Sequence, residues 1–373
     1  MTAVSTLRPS SRSDSMRWHD LTMETLEIPF RASFEHAPAK RTHGESVLVR
    51  AFTGGGRQGL GEGCPRHYVS GETAETATAF FNAHRRDWLH VQTLDDLRQW
   101  TNANRLLIDR NPAAFCAVEL ALLNAMAGRT GRSIESLLSL PELSGEFRYT
   151  GILGSRNPHT FARLLDRYRR MSISDFKIKL FGDEAVDRRN IAILNRPGTG
   201  GCRLRYDANN RWIDPDAAIS YIRALGLDVT GVEEPLAPSD YQGCRTVAAG
   251  LGSRVILDES CRTLGDLDRL PDVPDTWVIN IRVSKMGGLL RSLELAAAAR
   301  ARGVPVIVGA HVGETALLTR AALTVASSCR DILIGQEGAF GTFLLQHDLV
   351  EPALRFGPGG VLAAADVPFR VGY

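Results

Sequence analysis

Three carboxylates stand about 25 residues apart, roughly one strand-plus-helix unit, each closing a short apolar run: Asp207 in RYDANN, Glu233 in GVEEPL and Asp258 in VILDES. Lys177 and Lys179 precede them in DFKIKL, and Lys285 follows in IRVSKMGG. Oxygen ligands without Cys or His suit a hard cation, Mg2+ first and Mn2+ second. Three carboxylates around Mg2+ still leave a net negative charge, so an anionic substrate needs cations nearby, and the lysines supply them. Lys177 and Lys179, two apart on one strand, point to the same face. Like-charge repulsion is expected to lower their pKa values and leave one usable as a base near neutral pH. Lys285 is expected from a strand across the barrel. Lysines on opposite faces of one carbon can remove a proton on one side and return it on the other, while a metal stabilises the enolate developing on a substrate carboxylate. Singly, a strand-end acid is most often a solvated loop residue, and a lone lysine a surface charge or a Schiff-base former. The order and spacing together carry the reading.

Converging groups need elements whose ends meet. From about residue 145 the chain repeats strand, loop and helix, with expected strands at 148–153, 176–180, 203–208, 232–236, 254–259, 277–283, 304–311 and 331–338. Several are near-continuous apolar runs, as in strands buried on both faces. Asp214 and Pro215 cap and start a helix that Gly226 ends, and 289–302 and 315–327 read as further helices. This α/β pattern predicts a barrel; a doubly wound open sheet is the runner-up. The chain before residue 145 differs. RWHDLTMETLEIPF and GESVLVRAFT read as antiparallel strands, and GGG (54–56) and GLGEG (59–63) as tight turns. GETAETATAFFNAHRRDWL and NPAAFCAVELALLNAMAG read as helices, the latter capped by Asn111, started by Pro112 and stopped by Gly128. The glycine runs do not form a nucleotide-binding loop. The expected division is a disordered tail (1–15), an α+β domain (16–145), a barrel (146–340) and a carboxyl-terminal segment (341–373).

Composition narrows the function. At 373 residues with a formal net charge of +2, nothing points to nucleic acid. No apolar run is long enough to span a bilayer. The six cysteines are scattered without CxxC pairs, which fits a reducing, cytoplasmic setting. The expected partner is a small-molecule carboxylate; analogy with other barrel enzymes allows a homo-oligomer.

The set K-x-K, D-x-N, E-E-P, D-E-S and K-x-G-G resembles the enolase superfamily, specifically its muconate lactonizing enzyme subgroup, over essentially the whole chain after the tail. The resemblance implies a (β/α)7β modified TIM barrel with an amino-terminal α+β capping domain that the carboxyl-terminal segment completes. It makes Asp207, Glu233 and Asp258 the ligands of Mg2+, and Lys179 and Lys285 the acid/base pair, assisted by Lys177. Glu234 would orient neighbours. Capping loops at 31–43 and 53–66 would close over substrate, bringing Arg31, His36, Arg41 or Arg66 to its distal end. Asn209, His311, Glu314 and Glu337 are further candidate substrate contacts. A histidine base on strand seven needs an aspartate on strand six; Lys285 occupies that place, so His311 is not read as the base. Similar dipeptide epimerases carry D-x-D on the last strand, and GQEGAFG here lacks it. The leading expectation is a racemase or epimerase of an N-substituted amino acid or related acid. A muconate-type cycloisomerase and an acid-sugar or hydroxy-acid dehydratase are the alternatives within the family, and a Schiff-base aldolase using Lys285 a remote one outside it.

Overall fold

The structure, a computed structural model, describes residues 18–36, 39–53, 58–195, 201–226, 228–273, 275–351 and 353–367. The expected tail and the GGG turn lie outside them. Strands β1 (Trp18–His36), β2 (Ala39–Thr53) and β3 (Gln58–Gly63) form an antiparallel sheet in that order. Of the segment expected as a capping loop at 31–43, residues 31–36 and 39–43 belong instead to β1 and β2, with Phe34 opposite Arg41 and His36 opposite Ala39. GLGEG is likewise not a turn but most of β3. The reason is the helix Pro112–Thr130, apolar all round and buried from Pro112 to Gly128. A Cβ at Gly59, Gly61 or Gly63 would run into the carbonyl oxygens of Ala121, Ala117 or Ala113 respectively. Two strand residues and four helical residues both advance by roughly 6 to 7 Å, so alternate glycines meet successive helical turns backbone to backbone.

That helix starts at Pro112 as expected, with Asn111 at the cap position, but its capping and its end differ. Asn111 turns its amide back to the Leu107 carbonyl, and Glu72 accepts the free N–H groups of Ala113 and Ala114 at 3.0 Å each. Gly128 does not stop it, since a glycine within a helix costs only about 1 kcal/mol and this one is buried against its neighbours.

The barrel comprises β5 (Gly151–Leu153), β6 (Asp175–Lys179), β7 (Arg203–Asp207), β8 (Gly231–Glu233), β9 (Arg254–Leu257), β10 (Trp277–Ile281), β11 (Val306–Val308) and β12 (Leu333–Gln336), all parallel and in sequential order. Helices follow every strand but the last, giving (β/α)7β. The Thr150 N–H donates to the Gln336 carbonyl at 2.7 Å and links the first strand's entry to β12. The expected strand at 148–153 is split: β4 (Glu146–Arg148) pairs instead with β13 (Val361–Ala363). The carboxyl-terminal segment also meets the cap, where Phe30 bridges to Leu345. Most barrel strands stop earlier than the apolar runs suggest, and the ladder takes in polar residues such as Lys177, Lys179, Asp207 and Glu233 at or near its carboxyl ends. Among the described residues, no helix is long and apolar enough to cross a membrane.

Buried glutamates close the seam between cap and barrel. Glu62 of β3 accepts from the Thr315 N–H and hydroxyl at the start of the helix Ala316–Ser328. Glu119 of the helix Pro112–Thr130 accepts from the Leu289 and Leu290 N–H groups at the start of the helix Leu289–Ala301. Burial pushes Glu62 up to about 7 and Glu119 up to about 8, against partial relief from these hydrogen bonds.

Gly61→Ala is expected to destabilise the cap by on the order of 1–3 kcal/mol through overpacking, read as a lower denaturation midpoint; an unchanged midpoint would contradict the backbone-to-backbone contact. The raised glutamates also predict a pH dependence. Between the unfolded value near 4.5 and the folded values, the native state keeps protons that the unfolded chain has released, so stability falls as pH rises through this window. Denaturant unfolding at pH 5.5 and 8.5 should show a smaller loss in Glu119→Gln than in wild type.

Candidate active site

The carboxyl ends of β6, β7 and β8 lie in register, placing Lys179 opposite Asp207 and Asp207 opposite Glu233. Asp258 stands just beyond β9. All four are buried, as are Lys177 and Lys285. The Lys177 ammonium donates to both Glu233 oxygens at 3.0 and 3.1 Å and to Glu337 at 2.7 Å, and lies 3.4 Å from Asp207 Oδ2. Lys179 donates to the same Asp207 oxygen, and to Asn209 Oδ1 at 3.2 Å. Both lysines therefore share one face. Lys285 is not on a strand: β10 ends at Ile281, and Lys285 sits in the helical turn Val283–Met286. Its ammonium donates to the Asp258 carbonyl at 2.6 Å, Asp258 Oδ1 at 2.8 Å and the Asn280 carbonyl at 2.7 Å.

Two neighbours were not singled out from sequence. Arg282, almost wholly buried, pairs with Asp258 Oδ2 and lies 3.7 Å from Glu233. Asn280 donates to Glu233 Oε1 at 3.3 Å. The signal was available: polar residues at 280 and 282 interrupt an apolar strand on alternate positions, hence on one face. Glu234 holds the adjoining loop. Its Oε1 accepts from the N–H groups of Asp258 (2.6 Å) and Ser260 (2.8 Å), and its Oε2 from the Ser260 hydroxyl (2.7 Å).

The electrostatics correct one expectation. Burial alone would depress the Lys177 ammonium, but Glu233, Glu337 and Asp207 outweigh it and hold its pKa above the ordinary lysine value. Lys177 therefore stays charged; the repulsion from Lys179 invoked on sequence is smaller than the attraction of three carboxylates. Burial would likewise raise Asp258, yet Arg282 and Lys285 hold it down at about 2. Glu233 goes the other way, to about 7, because burial and the neighbouring acids exceed the help from Lys177.

The candidate substrate contacts divide. Asn209, in the left-handed region (φ 47°), donates its N–H to Asp207 Oδ1 and joins the cluster. His311 is buried at its edge, with Nδ1 3.5 Å from Arg282, and its N–H donates to Glu314 at 2.6 Å. Glu337 is committed to Lys177 and lies 3.5 Å from Arg205, an ion pair across the barrel interior rather than an acid left open for a substrate ammonium. Arg31 donates to the Leu345 and Gln346 carbonyls, a strut to the carboxyl-terminal segment rather than a contact with the cluster. Arg66 is buried and donates to the carbonyls of Glu45, Pro65 and Val312. The side chains of His36 and Arg41 lie outside the described residues.

Asp207, Glu233 and Asp258 have the donor chemistry for a hard divalent cation: oxygen only, negatively charged, on neighbouring strand ends. Lys177 stands between Asp207 and Glu233, and Arg282 between Glu233 and Asp258, so the carboxylates are spread around cations. Among the described residues, the group whose ligand atoms do lie within 4.8 Å of one another is Glu27, His43 and Glu45 on the cap hairpin. Such exposed acids need no metal.

Residues 160–368 match the family described as Enolase C-terminal domain-like. The L-Ala-D/L-Glu epimerase of Bacillus subtilis (strain 168) is 27% identical over 311 residues, 82% of this chain and 84% of that protein. The chloromuconate cycloisomerase of Cupriavidus pinatubonensis is 25% identical over 340 residues, 87% of this chain and 88% of the relative. The crystal structure of the dipeptide epimerase from Cytophaga hutchinsonii, complexed with Mg and the dipeptide D-Ala-L-Val, superposes with a TM-score of 0.81 at 21% identity, covering 93% of each chain. That last likeness shows the fold.

Adding Mg2+ or Mn2+ is expected to raise the thermal midpoint, with about 2.7 kcal/mol of stabilisation at a hundredfold excess over Kd, and EDTA to reverse it. Asp207→Asn and Asp258→Asn should each lose the gain; if both retain it, the cation binds elsewhere.

Proposed function

The chain belongs to the Enolase C-terminal domain-like family, and from that premise we propose that it is an isomerase that removes and returns the proton α to the carboxylate of an N-acylated amino acid. The carrying observation is the placement of two buried lysines, Lys179 on β6 and Lys285 beyond β10, on opposite sides of one carboxylate cluster. In this reading one lysine, as the neutral amine, takes the α-proton; the electron pair of the broken C–H bond passes into the substrate carboxylate. The opposite lysine, as the ammonium, donates a proton to the other face of the same carbon, which inverts it. Asp207 and Asn209 orient Lys179. Asp258 and the Asn280 carbonyl orient Lys285. Lys177, held charged by its carboxylates, adds positive potential where negative charge develops. Asp207, Glu233 and Asp258 would hold Mg2+, or Mn2+, which supplies Lewis-acid stabilisation of the developing enolate charge. Asn280 and Arg282 fix the Glu233 and Asp258 carboxylates.

An N-acyl group is favoured over a free α-ammonium for two reasons. The last strand lacks D-x-D, and Glu337 is already paired with Lys177 and Arg205. The similarity to a chloromuconate cycloisomerase supports a second reading, in which one lysine acts as base and the other only balances charge. The six cysteines, none in a disulfide, support a reducing cytoplasmic setting.

The test is NMR in D2O with Mg2+ over N-acyl amino acids, dipeptides, muconates and sugar acids. The expected result is loss of the α-proton signal from an N-acyl amino acid together with formation of its enantiomer, abolished by EDTA. Lys179→Ala and Lys285→Ala should each lower turnover by about 10²–10⁴-fold. Full exchange and turnover in both variants would rule the two-base reading out. Cyclisation of a muconate with no racemisation would select the second.

A further inference from the structure

The two lysines are held by different parts of the molecule. Lys179 is the last residue of β6, in register with Asp207 of β7, while β5 pairs with β6 up to Ile178, so the barrel sheet carries its backbone. Lys285 lies beyond the end of its strand, on a turn that the capping domain grips from several directions. The Cys64 N–H donates to Ser284 Oγ at 2.8 Å. A Cβ at Gly287 would come within 2.6 Å of Ile108. A Cβ at Gly288, where φ is 110°, would strike the Glu119 carboxylate, so the second glycine of K-x-G-G leaves room for that acid. Glu119 then accepts the Leu289 and Leu290 N–H groups, which the first turn of a helix leaves unpaired. In the same first turn, Arg291 pairs with Asp109 of the cap.

We propose that Glu119 is a positioning residue through which the capping domain sets the placement of Lys285 but not that of Lys179. The two faces of the reaction would then differ in their dependence on the cap: loosening the seam moves one base while the other keeps its sheet-bound place. A misplacement near 1 Å can cost about a hundredfold in rate, so the effect belongs to one stereochemical half-reaction. The catalytic part of this inference rests on the two-base reading above; the mechanical part does not.

The experiment compares Glu119→Ala and Glu119→Gln with wild type, after circular dichroism and a thermal melt have established that each variant is folded. Amide hydrogen exchange read by mass spectrometry is expected to be about tenfold faster over residues 283–291 in Glu119→Ala and unchanged over 175–181. With Mg2+ in D2O, initial α-proton exchange is followed separately for N-acetyl-L-phenylalanine and N-acetyl-D-phenylalanine. Glu119→Ala should slow one enantiomer by about ten- to a hundredfold relative to the other, and it should be the enantiomer whose exchange Lys285→Ala also slows more. Glu119→Gln, which keeps a carbonyl acceptor for the N–H groups, should restore most of both readouts. Equal slowing of both enantiomers, or unchanged amide exchange over 283–291, overturns the proposal. If wild type exchanges neither probe, that failure falls on the substrate reading, and the amide-exchange comparison decides the inference by itself.

Discussion

Asp207, Glu233 and Asp258 are drawn together by the geometry of adjacent parallel strands and taken out of water by the barrel. Neighbouring buried carboxylates cannot all ionise unless cations stand among them. Lys177, Lys179, Lys285 and Arg282 answer that demand for Asp207 and Asp258 and only in part for Glu233, and they stand interleaved with the acids rather than set around them. Much else follows from this arrangement. Lys177 stays charged because its three carboxylates outweigh its burial. Asn280 and the Glu234 loop are needed to hold each acid in a defined orientation. Glu337, just beyond the end of β12, completes the balance from inside the barrel.

The same demand for partners shapes the cap. Glu62, Glu72 and Glu119 are buried, and each is satisfied by the open N–H groups at the start of a helix. A carboxylate at a helix amino terminus meets unpaired donors and the positive end of the macrodipole together. In Glu62 and Glu119 these contacts cross from cap to barrel. They therefore fix two barrel helices that follow strand ends bearing site residues, one after Lys285 and one after His311.

Packing of the cap rests on a second constraint, close approach of backbones. Gly59, Gly61 and Gly63 remove every side chain from one face of β3, and the small residues Ala113, Ala117 and Ala121 do the same on the facing helix. The result sets the helix Pro112–Thr130 directly on the sheet, which carries Glu119 to the turn after β10. Alternating glycines read locally as turn formers; their use as a docking face depends on a partner helix far along the chain, Gly63 meeting Ala113 and Gly59 meeting Ala121.

The repeating barrel, the order of the clustered acids and lysines around it and the all-oxygen character of the acid set were already written in the chain. Each depends on local periodicity and on residue type at strand ends, and these are properties of short segments. The convergence of Asp207, Glu233 and Asp258 was legible because spacing of about one strand-plus-helix unit recurs in the chain. The upward pull on the Lys177 ammonium's pKa, the commitment of Glu337 and Arg31 to internal partners, the entry of Arg282 among the acids and the grip of the cap on Lys285 emerged with the folded arrangement. These depend on which charges and backbones meet across the barrel or across the seam. Coulomb interactions and close packing act on distance in space, and that distance is set once the whole chain has folded.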